Sequence, residues 1–160
     1  MENDIVSSLG EYLIKNNISI ACAESCTAGL FAATLCNVPG ISAVFDCGLV
    51  TYSCAAKIRE LGVKQETLDK YSAESEQIAA EMAEGLAEKT RCDVCVSITG
   101  VAGPDDLSPL KPAGLAYIGL RYKGKTSVIV HTKKGADRND TRYLMMLHMM
   151  DAVYERVTNG

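Results

Sequence analysis

Apolar positions at the start of the chain change from helical to strand spacing. Ile5, Leu9 and Leu13 recur every four residues, which predicts a helix that ends near Asn16–Asn17. Residues 18–23 are almost continuously apolar, as is typical of a buried strand. After a polar turn, small residues over 28–36 favour a second helix.

The same alternation of strands and helices continues along the chain. Further strands are predicted over 45–53, 94–99, 115–122 and 126–132. Further helices are predicted over 55–61, 75–91 and 137–157. The last two strands form a hairpin, and a stretch rich in Pro, Asp and Gly, 104–114, forms an irregular loop. The predicted fold class is α/β: one three-layer domain over 1–160, with a mixed, mostly parallel sheet, helices on both faces and a late β-hairpin.

Composition narrows the classes of function. The 160 residues fit a single domain, and 16 basic against 20 acidic residues give a net charge of −4, so we expect no nucleic-acid partner. An odd number of cysteines, 7, does not suggest a secreted disulfide framework and favours a reducing, cytoplasmic compartment. The start of the chain has no basic segment followed by an apolar run, and no stretch has membrane-spanning length. We therefore expect neither a secretory signal nor a membrane partner.

Ser25 lies where the first buried strand meets a helix. Backbone N–H groups at such a junction can stabilise an oxyanion or bind a phosphate, and the small residues Ala28 and Gly29 allow close approach. Hydroxyl residues at this position also commonly act as ordinary helix N-caps. Cys26 is a second potential nucleophile, because a helix N-terminus can lower the pKa of a thiol. The turn alone therefore leaves an N-cap, a serine nucleophile and a cysteine nucleophile open.

A serine nucleophile needs a base. His131 and His148 lie in a predicted strand and a Met-rich helix and are interpreted as structural. Lys57 can serve if burial lowers its pKa enough to keep it neutral, although a lysine on a helix more commonly faces solvent. Tyr52 could relay a proton near the same position, or could simply pack at the end of its strand.

A second turn, Thr99 to Pro104, follows the apolar strand over 94–99. The carboxyl ends of strands border the ligand crevice in such sheets, so backbone N–H groups of this turn could contact a phosphate or a carboxamide. Arg138 lies next to the predicted start of the last helix and could bind a phosphate through its planar fork, or could pair with Asp137 or Asp140.

Two other groups are interpreted as packing residues. Cys92 and Cys95 have the spacing of metal ligands, but alternation along a strand would place them on opposite faces, so no metal site is expected. Methionines near the end of the chain suggest core or subunit contact. They are Met145, Met146, Met149 and Met150.

In combination, these motifs resemble the CinA C-terminal domain family. The resemblance rests on ordered segments that cover nearly the whole chain: 23–27 (AESCT), 38–40 (VPG), 50–53 (VTYS), Lys57, 61–63 (LGV), 82–85 (MAEG), 99–104 (TGVAGP), 111–112 (KP) and 117–120 (YIGL). Active members hydrolyse the carboxamide of nicotinamide mononucleotide to nicotinate mononucleotide and ammonia, which recycles pyridine nucleotide. The resemblance therefore implies a nicotinamide-nucleotide amidase, a hydrolase that needs no cofactor.

Site roles follow from the resemblance by position. It implies Ser25 as the nucleophile, Lys57 as its base and Tyr52 beside them. It implies a substrate-binding role for six further positions: Thr27, Ala28, Gly29, Thr99, Gly100 and Arg138. It also implies a small-molecule nucleotide substrate, a homo-oligomer, and a stand-alone form without the N-terminal nucleotide-processing domain of longer members.

Three departures from the family pattern bear on activity. Ala28 stands where a second glycine is usual, Cys54-Ala55 replace a common polar pair, and Asp105-Asp106-Leu107 replace a glycine-rich loop. Ala28 could narrow the approach to Ser25, and the two aspartates could weaken phosphate binding. The alternative function is therefore a weak or inactive paralogue that binds a nucleotide or a protein partner without turnover.

Overall fold

The computed structural model describes residues 2–160, whose central layer is a five-stranded sheet. Its strands are β1 (Ile20–Glu24), β2 (Phe45–Val50), β3 (Val94–Gly100), β4 (Ala116–Tyr122) and β5 (Lys125–His131). The spatial order is β2-β1-β3-β4-β5. β1 pairs in parallel with β2 and β3, and β4 pairs antiparallel with β3 and β5, so only β4 runs against the others. The prediction of a mixed sheet with a late hairpin is confirmed.

Helices cover both faces of this sheet. They are α1 (Glu2–Lys15), α2 (Leu30–Leu35), α3 (Cys54–Leu61), α4 (Gln65–Tyr71), α5 (Glu76–Thr90) and α6 (Arg138–Asn159). Strand alternation divides the core between the faces: Cys22 packs with α1, α2 and α6, whereas Ala21 and Ala23 pack with α3, α4 and α5. The three-layer α/β prediction is therefore confirmed.

Sequence patterns missed two elements and misplaced several boundaries: β1 begins at Ile20 and not at residue 18, and β2 ends at Val50 and not at residue 53. α4 and the 3₁₀ turn Ile41–Ala43 were not predicted; α4 buries only Leu68, so it has no apolar periodicity to detect. α2 begins at Leu30 and not at Ala28, because Ala28 and Gly29 have left-handed backbone angles, with φ of 50° and 96°.

The two groups of sulfur-containing residues are packed inside the chain. Cys92 and Cys95 contact the same apolar cluster, so the prediction of opposite faces is wrong; β3 begins only at Val94, and strand alternation does not apply to Cys92. The four methionines of α6 are fully buried against the sheet. They belong to the core, and the homo-oligomer stays a prediction. None of the helices described over residues 2–160 combines the length and the apolar character that a membrane span requires.

A glycine sets the distance between α5 and α3. At Gly85 in α5, an added Cβ would collide with the backbone carbonyl of Leu61, the last residue of α3. Only glycine allows this approach without a shift of one helix. The contact fixes the position of α3, the helix that carries Lys57.

Candidate active site

Three parallel strands, β1, β2 and β3, end at the same edge of the sheet, and the turn that follows each strand lies at this edge. Ser25 follows β1, Tyr52 follows β2, and Gly100 ends β3. Hydrogen bonds between these turns hold them together: Ser25 N donates to Ile98 O over 3.1 Å, and Thr51 N donates to Glu24 O over 2.9 Å. This convergence agrees with the rule that ligands bind outside the carboxyl ends of strands.

Lys57 enters the site from the buried face of α3. Its Nζ lies 2.9 Å from Ser25 Oγ, 2.7 Å from Thr51 O and 3.1 Å from Tyr52 O. Both carbonyl oxygens can only accept hydrogen bonds, so they bind two N–H groups of the amine, and its third position is directed at Ser25 Oγ. When the amine is neutral, this third position is its lone pair and faces the Ser25 hydroxyl. The arrangement therefore suits a base that removes the serine proton.

Burial affects the protonation of Lys57. The residue is 1% exposed, so the interpretation of a solvent-facing lysine is wrong. Burial lowers the pKa of the Lys57 amine, because the charged form loses hydration, and nearby Cys54, Glu74 and Cys26 oppose this effect more weakly. A lowered pKa enlarges the neutral fraction at a given pH, which is the fraction that can act as a base.

The turn after β1 does not cap α2 with a hydroxyl. Gly29 occupies the N-cap position and provides no side chain, so the N-cap interpretation of Ser25 is wrong. The cap is the carboxylate of Glu24, which accepts from the N–H groups of Gly29, Phe31 and Ala32 at 3.0–3.1 Å. Thr27 Oγ1 also donates to it. Glu24 is 1% exposed, and these four donors satisfy its buried oxygens.

Glu24 changes the role expected for the residues after Ser25. The Thr27 hydroxyl and the Gly29 N–H are bound to Glu24, and Ala28 N donates to Ser25 O over 3.1 Å. These groups therefore cannot also bind substrate in this conformation. No sequence signal indicated this role of Glu24, because residues 25–29 separate it from the first residue of α2 and it is not at the N-cap position.

Tyr52 and Arg138 meet at the rim of the site. Arg138 Nη2 donates to the Tyr52 hydroxyl over 3.2 Å, and its Nη1 donates to Gly103 O. Arg138 forms no ion pair with Asp137 or Asp140 within residues 2–160, so the paired-arginine interpretation is wrong. Tyr52 contacts the Ser25–Lys57 pair through its backbone carbonyl, and its hydroxyl is directed to Arg138. The proposed proton relay through this hydroxyl has no contact to support it.

Thr99 and Gly100 differ in their access to the site. The Thr99 side chain is buried, and its Oγ1 donates to Ala73 O over 2.8 Å, which ties β3 to the segment before α5. Gly100 lines the cavity beside Ser25. Of this predicted pair, only Gly100 is placed to contact a ligand directly.

A cavity of about 430 Å³ lies over Ser25, within the ~300–1,000 Å³ typical of small-molecule sites. Its walls include Tyr52, Arg138 and three acids: Glu74, Asp105 and Asp106. Two larger clefts are not lined by Ser25: one of about 1070 Å³ lies between α6 and the β4–β5 hairpin, and one of about 850 Å³ lies beside the start of β3. We assign the smaller cavity as the candidate site because it contains the nucleophile.

The acidic residues of the wall have different partners. Asp106 Oδ1 accepts from Ala113 N over 2.8 Å and so supports the loop after β3. Glu74 forms an ion pair of 3.9 Å with Lys111. In the described part of the chain, the Asp105 carboxylate has no hydrogen-bond or salt-bridge partner. Asp105 is thus the acid whose charge is least compensated.

Cys26, the alternative nucleophile, and the two histidines, the alternative bases, do not lie where they could act on a ligand in the candidate cavity. Cys26 Sγ points into the core, 3.8 Å from Met145 Sδ, and burial raises the pKa of its thiol to about 12. It therefore stays protonated, and the cysteine-nucleophile interpretation loses its basis. His131 and His148 contact each other, with Nδ1 atoms 3.0 Å apart, between β5 and α6. As predicted, they have a structural role.

Arg142 is a further site residue that the sequence did not indicate. Its Nε donates to Cys26 O and its Nη2 to Thr27 O, both over 2.9 Å. The guanidinium therefore clamps the turn that carries Ser25. Its position one helical turn after Arg138 on α6 was the only signal that could have suggested it.

Comparison with known proteins identifies related chains. The family model described as CinA C-terminal domain matches residues 2–157. A competence-damage inducible relative from Clostridium novyi (strain NT) is 56% identical over 116 residues, 72% of this chain and 28% of the relative. A CinA-like protein from Kosmotoga olearia is 42% identical over 96% of this chain and 41% of the relative. The chain thus spans less than half the length of these curated relatives.

Solved structures share the fold. A CinA superfamily protein from Escherichia coli superposes with a TM-score of 0.91 and 32% identity, covering 98% of this chain and 90% of the other. A CinA superfamily protein from Klebsiella pneumoniae gives a TM-score of 0.94 and 29% identity, covering 100% and 99%.

Proposed function

The chain belongs to the CinA C-terminal domain family, and from this premise we propose that it is an amidase acting on nicotinamide mononucleotide. The products are nicotinate mononucleotide and ammonia. The observation that carries the proposal is the contact of 2.9 Å between Lys57 Nζ and Ser25 Oγ, with two carbonyls on the remaining N–H groups of the amine. A nucleophile touching a buried, oriented base is the arrangement that acyl transfer requires.

The reaction proceeds in two half-reactions. Ser25 Oγ attacks the amide carbon while Lys57 Nζ takes the hydroxyl proton, which gives a tetrahedral intermediate. Collapse of this intermediate breaks the C–N bond, and Lys57 returns the proton to the departing nitrogen, which leaves as ammonia. Water then attacks the acyl-enzyme, again with Lys57 as base, and releases the carboxylate and Ser25. The reaction as written needs no metal ion or cofactor.

Arg138 supports the choice of an anionic nucleotide. Its guanidinium lies at the rim of the cavity, where Tyr52 and the Gly103 carbonyl orient it. A planar guanidinium binds phosphate through two parallel hydrogen bonds. Arg138 is therefore the residue that we assign to the substrate phosphate.

Acids in the same cavity favour a second candidate function. Glu74, Asp105 and Asp106 line the wall against a single lining arginine. The negative charge of these acids weakens the binding of an anionic nucleotide substrate. The alternative function is therefore a paralogue that binds a ligand or a protein partner without turnover. The two functions make different predictions for ammonia release.

The test is ammonia release from nicotinamide mononucleotide by purified wild type and by Ser25→Ala. We expect release by wild type and a loss of at least about a thousandfold in the variant, because a nucleophile cannot be replaced by a methyl group. Ser7→Ala on the exposed face of α1 is the matched control. Equal release by wild type and Ser25→Ala would refute the assignment. Ligand-induced thermal stabilisation without release would favour the non-catalytic alternative.

A further inference from the structure

Nicotinamide mononucleotide carries opposite charges at its two ends. The phosphate is an anion, and the pyridine ring is a cation because its nitrogen is bonded to ribose. An acid in the binding cavity therefore weakens binding where it lies near the phosphate and strengthens binding where it lies near the ring. The position of each cavity acid thus decides its effect on this substrate.

Glu74 lies toward the reacting pair. It lines the same cavity as Ser25, and its negative charge raises the pKa of the Lys57 amine. The segment that carries Glu74 is attached to β3 beside the site, because Thr99 Oγ1 donates to Ala73 O over 2.8 Å. Of the three acids in the cavity wall, Glu74 alone acts on Lys57 in this way. Its charge is therefore the one that a ligand group at Ser25 meets.

Arg138 marks the other end of the cavity. Its Nη1 donates to Gly103 O, and Asp105 follows Gly103 by two residues. The carboxamide of the substrate is bonded directly to the ring, so a substrate whose amide carbon reaches Ser25 Oγ also places its ring there. With the phosphate on Arg138, the ring cation lies on the side of Glu74 and the phosphate on the side of Asp105.

Lys111 leaves much of the Glu74 charge uncompensated. Lys111 Nζ lies 3.9 Å from Glu74 Oε2, which is too long for a hydrogen bond, and it donates instead to Ser72 Oγ and Tyr71 O. Glu74 lines the cavity, whereas Lys111 is not part of its wall. The cavity is therefore exposed to the carboxylate and not to its ion-pair partner.

We propose that Glu74 is a specificity-determining residue that makes the site selective for an amide on a cationic ring. The substrate class is then the N-substituted pyridinium carboxamides, which bind in preference to neutral aromatic amides of similar shape. The inference rests on the proposed function, which places a nicotinamide ring at Ser25. It gives Glu74 the opposite effect on binding to that of Asp105.

The experiment compares the binding of oxidised and reduced nicotinamide mononucleotide. The two share the phosphate and the carboxamide, but the ring is cationic in the first and neutral in the second. Both Kd values are measured by calorimetry in the Ser25→Ala background, so that hydrolysis does not interfere. Glu74→Gln and Glu74→Ala remove the charge, and Glu74→Asp keeps it. Glu76→Gln is the matched control, an exposed acid of α5 that does not line the cavity.

The ratio of the two Kd values reports the ring charge. We expect the oxidised form to bind roughly three- to tenfold more tightly in the Ser25→Ala background, and this preference to disappear in the two neutral variants of Glu74. The rings also differ in shape, and comparing the ratio between variants removes that difference. Glu74→Asp should keep part of the preference and Glu76→Gln all of it, and added salt should reduce it.

The outcomes separate this inference from the proposed function. An unchanged ratio in both neutral variants, or equal binding of the two nucleotides in the Ser25→Ala background, would overturn the role of Glu74. Ammonia release by wild type together with equal binding would refute this inference and leave the proposed function standing. A preference that depends on Glu74, without ammonia release by wild type, would do the reverse.

Discussion

Lys57 Nζ lies 2.9 Å from Ser25 Oγ although the two residues come from different turns of the chain. The serine follows β1, and the lysine comes from α3 after the neighbouring strand β2. Parallel pairing of these strands brings the two side chains together. The contact between Ser25 and Lys57 therefore depends on the parallel pairing of β1 with β2.

The rate should depend on pH through Lys57. Only the neutral amine can take the serine proton, so kcat rises as pH increases through the pKa of Lys57 and then reaches a plateau. Burial lowers this pKa, so the midpoint should fall below that of an ordinary lysine. The measurement is kcat against pH, with Lys57→Met expected to lose at least about a hundredfold. A midpoint at or above that of an exposed lysine would contradict the role of burial.

Replacement of Cys26 should spare activity. Its thiol is buried against Met145 and stays protonated, so Cys26→Ala is expected to keep kcat/KM within about threefold of wild type. Removal of the small buried group should cost about 1 kcal/mol in the free energy of unfolding. Ammonia release and urea denaturation measure the two effects. A cysteine nucleophile would give the opposite result, with Ser25→Ala active and Cys26→Ala inactive.

Glu24 should be important for stability. Glu24→Gln places an amide N–H₂ among four donors, so at least one buried donor loses its acceptor. We expect a loss of about 2–4 kcal/mol in the free energy of unfolding, since hydrogen bonds to a charged group contribute about 1.5–3 kcal/mol each. Glu84→Gln, on the exposed face of α5, is the control and should change stability by less than about 0.5 kcal/mol. Equal urea midpoints for the two variants would show that Glu24 does not stabilise this turn.

The charge of Asp105 should weaken the binding of an anionic substrate. This carboxylate lines the cavity and, among the described residues, has no partner. Asp105→Asn is expected to lower KM about two- to fivefold at low salt with little change in kcat, and the difference should shrink as salt is added. Asp151→Asn, on the far part of α6, should leave KM unchanged. A salt-independent effect would indicate a change in loop structure and not in charge.

Sequence patterns predicted the strands, the longer helices and the two side chains of the proposed catalytic pair. Apolar periodicity is strong where an element packs on the sheet, as in α5 and α6, and is absent in α4, which buries only Leu68. Ser25 and Lys57 could be selected as candidate site residues from their neighbours in sequence alone. Ser25 lies at a strand–helix junction, and Lys57 lies beside small residues. The same neighbours also suggested that Ser25 is the N-cap of the following helix. In the structure Gly29 occupies the N-cap position, and the Glu24 carboxylate accepts from the N–H groups there.

Contacts between distant parts of the chain could not be predicted in this way. Arg142 binds carbonyls 115 and 116 positions earlier, and a backbone carbonyl has no sequence signature. Arg138 reaches the rim of the site through the Gly103 carbonyl for the same reason. Thr99, which the sequence marked as a ligand contact, instead bonds to Ala73 inside the fold.

The clamp formed by Arg142 also has a consequence for synthesis of the protein. A ribosome makes the chain from its N-terminus, so the turn with Ser25 emerges long before α6 and its arginine. Until α6 is complete and docked, the Cys26 and Thr27 carbonyls have no guanidinium to bind. A nascent chain thus carries Ser25 and Lys57 well before the guanidinium that binds this turn, and the turn gains these two hydrogen bonds only when α6 folds onto the sheet.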